Sequence, residues 1–194
     1  VGNSLWPNYD HGAFGVVFGP GGNGKSTFFR LVENLLGTDN VSGWGLKDLE
    51  ENRFATANLV DKMANIAPDL EGKKIRDLGT LKALTGGDTV MAERKGEQAF
   101  EFENRAMMMF GANKPPVLGE RTDAVKRRLL PIHLPYRFTP ESGDGHKQAR
   151  DRQELLDELT TEEELSGLLN KALDGLERLN DDGDFSLPET PDER

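Results

Sequence analysis

The chain has no cysteine. That removes a disulfide framework, cysteine-based zinc sites and a catalytic thiol from consideration. No apolar run approaches the ~20 residues that span a bilayer, so no membrane is expected among its partners. No secretory signal is visible, which makes the cytoplasm the expected compartment. There is no repeat and no low-complexity segment. The chain opens on Val1 rather than Met, as a piece cut from a longer protein would. What is present suffices for a packed core. Of 194 residues, 36% are apolar and 30% charged, which argues against a disordered chain and leaves room for one domain, or one domain with a helical appendage.

The net charge of −10 argues against a nucleic-acid partner until its distribution is read. Residues 139–194 hold 17 Asp/Glu and 6 Lys/Arg, a balance of −11, and residues 1–138 hold the other 17 acidic and 18 basic residues, a balance of +1. The acidity belongs to the C-terminal stretch, and the neutral body can carry a local basic channel.

Short apolar runs alternate with helical spacing. Ala13–Phe18 reads as a buried strand, and Lys25–Leu36 as a helix ended by Gly37. A short helix is expected near Leu46–Phe54, a second strand over Met63–Ala67 stopped by Pro68, and a helix over Asp77–Leu84. Thr89–Arg94 and Ala99–Glu103 alternate in polarity around Lys95-Gly96-Glu97, the pattern of a β-hairpin. Ala106–Phe110 and Leu129–Leu134 read as third and fourth strands. From His146 the leucines fall three or four apart, the pattern of helices, with Thr161 and Glu164 spaced as a capping box. The expected class is α/β: a parallel sheet flanked by helices, with residues 1–138 as the core and 139–194 as an acidic helical tail packing on it.

Gly19-Pro20-Gly21-Gly22-Asn23-Gly24-Lys25-Ser26 matches G-x-x-x-x-G-K-[ST], the P-loop or Walker A pattern. Its glycines let backbone N–H groups turn inward to cradle phosphate oxygens, and the helix that follows points its positive end at the same anion. Lys25 is expected to reach the β/γ-phosphates and Ser26, followed by Thr27, to offer a hydroxyl to Mg²⁺. A flexible glycine turn before a helix is the structural alternative. An ATPase also needs a carboxylate for Mg²⁺ at the end of a neighbouring strand. Asp69 is the candidate, with Asp61 the weaker competitor because it precedes its strand. Asn113, at the end of the third strand, could orient the attacking water, or could simply make the turn. Arg127 and Arg128, just before the fourth strand, are either solvated surface or an arginine that reaches a neighbour's γ-phosphate.

These segments, in this order, resemble the superfamily 3 helicases, in particular the primase-helicase branch of phages, plasmids and poxviruses. GPGGNGKST is similar to the family's Walker A loop, MANIAPDL to its Walker B strand, and LKALTGGDTVMAERKG to the motif specific to the superfamily. MMMFGANKPP is similar to its sensor strand, AVKRRLLPIHLPYRF to its arginine-finger segment, and EELSGLLNKALDGLERL to its helical tail. The resemblance implies an AAA+-like ATPase that binds ATP and Mg²⁺, assembles as a homo-hexameric ring and translocates on single-stranded DNA, with a primase domain elsewhere in the full-length protein. It assigns Lys25 to the β/γ-phosphates, Ser26 and Asp69 to Mg²⁺, Asn113 to sensor 1, and Arg128 to the arginine finger with Arg127 as fallback. Arg94 and Lys95 would grip DNA phosphates from the hairpin. One departure concerns the general base. Many Walker B strands end in two adjacent acids, whereas here Leu70 separates Asp69 from Glu71.

Two other classes compete with the motor. A P-loop kinase would use the same loop but gives the Lys95 hairpin and the Asn113 segment no place. A non-catalytic nucleotide-binding scaffold would accommodate the interrupted Walker B strand.

Overall fold

The apolar runs become the strands of one parallel sheet. The computed structural model describes residues 1–5, 11–70, 79–115, 127–141, 143 and 146–185. In chain order the elements are β1 (Phe14–Phe18), α1 (Lys25–Leu36), β2 (Val41–Ser42), α2 (Leu46–Glu51), α3 (Arg53–Thr56), β3 (Ala64–Ala67), α4 (Gly79–Gly86), β4 (Thr89–Ala92), β5 (Phe100–Glu103), β6 (Met107–Ala112), β7 (Leu129–His133), β8 (Arg137–Thr139), β9 (His146–Gln148), α5 (Arg152–Leu159) and α6 (Glu162–Asp182). The sheet runs β2-β3-β6-β1-β7, and every neighbouring pair is parallel.

A parallel sheet must be covered on both faces, and the alternation of side chains shows how. Phe14 and Val16 of β1, Met108 and Phe110 of β6 and Ala67 of β3 pack with Leu46 and Leu49 of α2, Ala55 of α3, and Leu81 and Leu84 of α4. The intervening positions, Val17, Met107, Met109, Ala64 and Ile66, pack on Phe29, Val32 and Leu36 of α1. Burying a side chain of this size contributes about 1.5–3 kcal/mol, so α1 is held chiefly by its apolar stripe. The hairpin β4–β5 sits on the α2–α4 side, where Val90 and Phe102 touch the core. Asn65, fully buried on β3, binds the Ser42 hydroxyl, the Trp44 N–H and the Trp44 carbonyl at 2.9 Å each, and so pins the segment after β2.

Three expectations change. The helix foreseen near Leu46–Phe54 is two helices, because Asn52 adopts an extended backbone and its side chain caps α3 by accepting from Phe54 N–H. Helix does not begin at His146. That stretch is β9, paired in parallel with β8, and α5 starts at Arg152, where Asp151 accepts from the Gln153 and Glu154 N–H groups. Of the helix expected over 77–84, positions 77 and 78 lie outside the described residues and the rest continues to Gly86. Thr161 caps α6 by accepting from Glu164 N–H. Helices α5 and α6 both touch α1, and α6 also lies on a short 3-10 turn, Gly2–Leu5. No helix among the described residues is long and apolar enough to cross a membrane.

Candidate nucleotide site and its opposite edge

The register of the strands fixes what can meet. Ala67, Phe110 and Val16 lie in one row across β3, β6 and β1, and Ala112 and Phe18 in a row two residues further on. The glycine loop leaves β1 after Phe18, Asn113 follows Ala112, and Asp69 stands two residues past Ala67. All three therefore emerge at the carboxyl edge of the sheet, on adjacent strands spaced by about 4.8 Å. Ligands of open α/β sheets bind at this edge.

At the loop, Gly19, Gly22 and Gly24 have φ of 148°, 76° and 85°. Gly19 has no room for a side chain: a Cβ there would stand 2.3 Å from both the Asn23 Nδ2 and the Leu134 carbonyl. Gly24 is the left-handed N-cap of α1 and brings no capping side chain. Lys25 N–H donates to Asn23 Oδ1 at 3.4 Å, and the N–H groups that follow in the first turn can face an anion. Lys25 is buried, and its Nζ donates to the Gly19 carbonyl at 2.8 Å and Asn23 Oδ1 at 2.9 Å. Burial pushes its ammonium below the ordinary lysine range, a penalty that a phosphate's charge would relieve. Ser26 is exposed and Thr27 half-buried at the start of α1. Pro20 and Gly21 are exposed at the crest. Asn23 is itself tied down, since its Nδ2 donates to the Leu134 carbonyl at 3.1 Å. The Phe18 ring stacks on His133 of β7, with centroids 4.9 Å apart.

Asp69 and Asn113 are exposed at the same edge. The approach of β3 to β6 there is close. Leu70 N–H donates to the Gly111 carbonyl, and a Cβ on Gly111 would stand 2.1 Å from the Pro68 carbonyl. Asp61 precedes β3 and so lies at the amino edge, away from the loop. Glu71 lies outside the described residues. Among those residues no three His, Asp or Glu side chains group as a metal centre.

Arg127 and Arg128 are brought to the other end. They precede β7, which runs parallel to β1 with Leu129 beside Phe14. A strand of this length spans about 16 Å, so both arginines are separated from their own chain's loop by the depth of the sheet. The Arg128 carbonyl accepts from Phe14 N–H at 2.7 Å. Its guanidinium lies near the end of α4, with Nη2 3.6 Å from where a Cβ on Gly86 would stand. Arg127 is exposed.

The hairpin turns through Gly96 (φ 84°), with Glu97 N–H donating to the Arg94 carbonyl at 3.0 Å. Arg94 is engaged within the hairpin: its guanidinium lies 5.2 Å over the Phe100 ring and 3.9 Å from Glu97. Lys95 is exposed at the tip. The base of the hairpin is fastened to α3 by the Arg53–Glu93 ion pair at 2.8 Å and by the Thr56 hydroxyl donating to the Met91 carbonyl.

Sequence reasoning missed the segment after β7, which runs across the loop. Its signal is a contact between residues more than a hundred positions apart, and no local pattern encodes that.

Residues 17–128 match DUF5906, described as a family of unknown function. The chain belongs to this family. It is also similar to a protein named "Putative helicase L207/L206" from Acanthamoeba polyphaga mimivirus, 27% identical over 146 residues that cover 72% of this chain and 15% of that protein. Among solved structures, the apo C-terminal region of NrS-1 aligns with a TM-score of 0.63 at 19% identity, over 82% of this chain and 38% of that one. A second form of that region aligns with a TM-score of 0.61 at 18% identity, over 82% and 37%. The chain thus spans well under half the length of each relative. The α/β P-loop fold is shared with the NrS-1 region, and the superfamily 3 resemblance agrees with the mimivirus match.

Proposed function

We propose that this DUF5906 chain is the ATPase motor of a DNA helicase, part of a viral, phage or plasmid replication protein that works in the cytoplasm and translocates on single-stranded DNA as a homo-hexameric ring. The observation that carries the reading is the polarity of the sheet. The phosphate loop, Asp69 and Asn113 share one edge, and the two arginines occupy the other, out of reach of their own chain's loop. In this reading the loop, Gly19 to Thr27, cradles the phosphates of ATP, and Lys25 binds the β/γ-phosphates. Ser26 and Asp69 hold Mg²⁺, whose habit of taking one or two protein oxygens and filling the rest with phosphate and water suits so sparse a donor set. Asn113 orients the attacking water, and Arg128, with Arg127 beside it, stabilises charge on the neighbour's γ-phosphate. Lys95 presents a point charge to the DNA backbone without reading sequence, while Arg94 stiffens the hairpin.

The test is ATP hydrolysis with and without single-stranded DNA at low and moderate salt. Stimulation that fades as salt rises is expected. Clear ATP binding with no stimulation at any protein concentration or salt would overturn the motor reading in favour of a scaffold. Lys95→Ala is expected to weaken DNA binding several-fold and to remove most of the stimulation. A variant that retains both would show that the hairpin tip is not the grip.

A further inference from the structure

The segment that leaves β7 crosses the phosphate loop and is fastened to it at two points. Leu134 takes the Asn23 side chain on its carbonyl at 3.1 Å, and Phe138 N–H donates to the Gly22 carbonyl at 2.7 Å. The backbone of Arg137, next to the second anchor, is therefore held at a set distance from the loop. Its side chain runs alongside Gly22, with Cγ 3.8 Å and Nε 4.0 Å from where a Cβ on that glycine would stand. The Phe138 ring is 3.7 Å from the corresponding point on Gly24.

Two features make this arginine unlike an ordinary surface cation. It is exposed and makes no ion pair or side-chain hydrogen bond among the described residues, in a chain with 34 acidic residues to 24 basic ones. It also stands beside the backbone of the glycine loop, at Gly22. Lys25, the other cation at the loop, is folded inward onto the Gly19 carbonyl and Asn23. A guanidinium is planar, always charged and suited to two parallel hydrogen bonds with a phosphate.

We propose that Arg137 is a second cation for the phosphate tail of a bound nucleoside di- or triphosphate, contributed by the same chain that supplies the loop. This rests on the loop being the nucleotide site. It differs from the role given to Arg128, which sits at the opposite edge and needs a neighbour. Arg137 therefore acts on nucleotide binding by the dilute chain, with no DNA and no assembly.

The experiment is equilibrium binding of a fluorescent ATP analogue at fixed salt, competed with ATP, ADP and adenosine. It compares the unaltered chain with Arg137→Met, which keeps the stem against Gly22 and removes the charge, and with Arg137→Lys and Lys25→Ala. Arg137→Met is expected to weaken ATP and ADP about ten-fold or more, to leave adenosine unchanged, and to melt at the same temperature without nucleotide. Arg137→Lys should recover part of the loss. ATP affinity unchanged in Arg137→Met, while Lys25→Ala is weakened, overturns the assignment and spares the nucleotide reading. Equal losses for adenosine and ATP overturn it in favour of packing. An unaltered chain that binds no ATP, with Lys25→Ala behaving identically, overturns the nucleotide reading and this inference together.

Discussion

Lys25→Ala should reduce ATP hydrolysis by about two to four orders of magnitude at saturating ATP. The expectation comes from two effects of the same sign. The ammonium is prepositioned beneath the loop, and a charge-assisted hydrogen bond contributes about 1.5–3 kcal/mol. Two such bonds to the β- and γ-phosphates, at about 1.36 kcal/mol per ten-fold in rate, give the range stated. The side chain also holds the loop: its Nζ bridges the Gly19 carbonyl and Asn23 Oδ1, and alanine leaves both acceptors without that donor. A turnover assay should accompany a thermal melt, because the buried ammonium is desolvated in the folded chain and its removal need not cost stability. A folded variant that hydrolyses ATP at the original rate would remove the loop from the reaction.

Gly111→Val should damage the fold severely. A Cβ at this position meets the Pro68 carbonyl oxygen at 2.1 Å, its carbon at 2.8 Å and the Phe29 ring at 3.0 Å. Two of those three are backbone, which cannot swing aside as a side chain can. Overpacking of a core costs about 1–3 kcal/mol and sometimes more, and a rigid obstacle puts this site at the upper end. For a chain of this size, about 3 kcal/mol lowers the thermal midpoint by roughly 6–12 °C. The strain has a specific outlet. Pushing the end of β3 off β6 breaks the Leu70 to Gly111 hydrogen bond and moves Asp69, so Mg²⁺ dependence should suffer even in the folded fraction. A melting curve and a Mg²⁺ titration of the rate check this, and an unshifted melt would contradict the close approach of the two strands.

Much of the architecture was legible because it is written in local periodicity. Lys25–Leu36 shows its helix through the spacing of Phe29, Val32 and Leu36, all of which reach the core. Met107–Phe110 shows its strand as an unbroken apolar run, the mark of burial on both faces. The hairpin announces itself by alternation around Gly96. The legible parts are those in which a segment's own residues record its surroundings. What stayed hidden is set by partners outside the segment itself. His146-Lys147-Gln148 has nothing apolar to betray a strand and becomes one by pairing with β8. Val41–Ser42 is two residues long and exists because β3 lies beside it. Arg137 gives no sign in the sequence that it lies against a loop more than a hundred residues earlier. At the candidate site, the residue types could be read from spacing, and the edge on which each one falls required the register.

The outward face of the hairpin has a consequence for how polymer binding can be measured. Thr89 stands opposite Glu103 and Met91 opposite Glu101, and these positions are exposed. In the proposed motor, carboxylates along the flank would repel the strand from the β-ribbon and leave the tip as its point of contact. One lysine then displaces about one counterion, and for single strands each neutralised phosphate adds about −0.7 to the slope of log affinity against log salt. In the proposed ring the slope would become a census of how many chains hold the strand at the same moment.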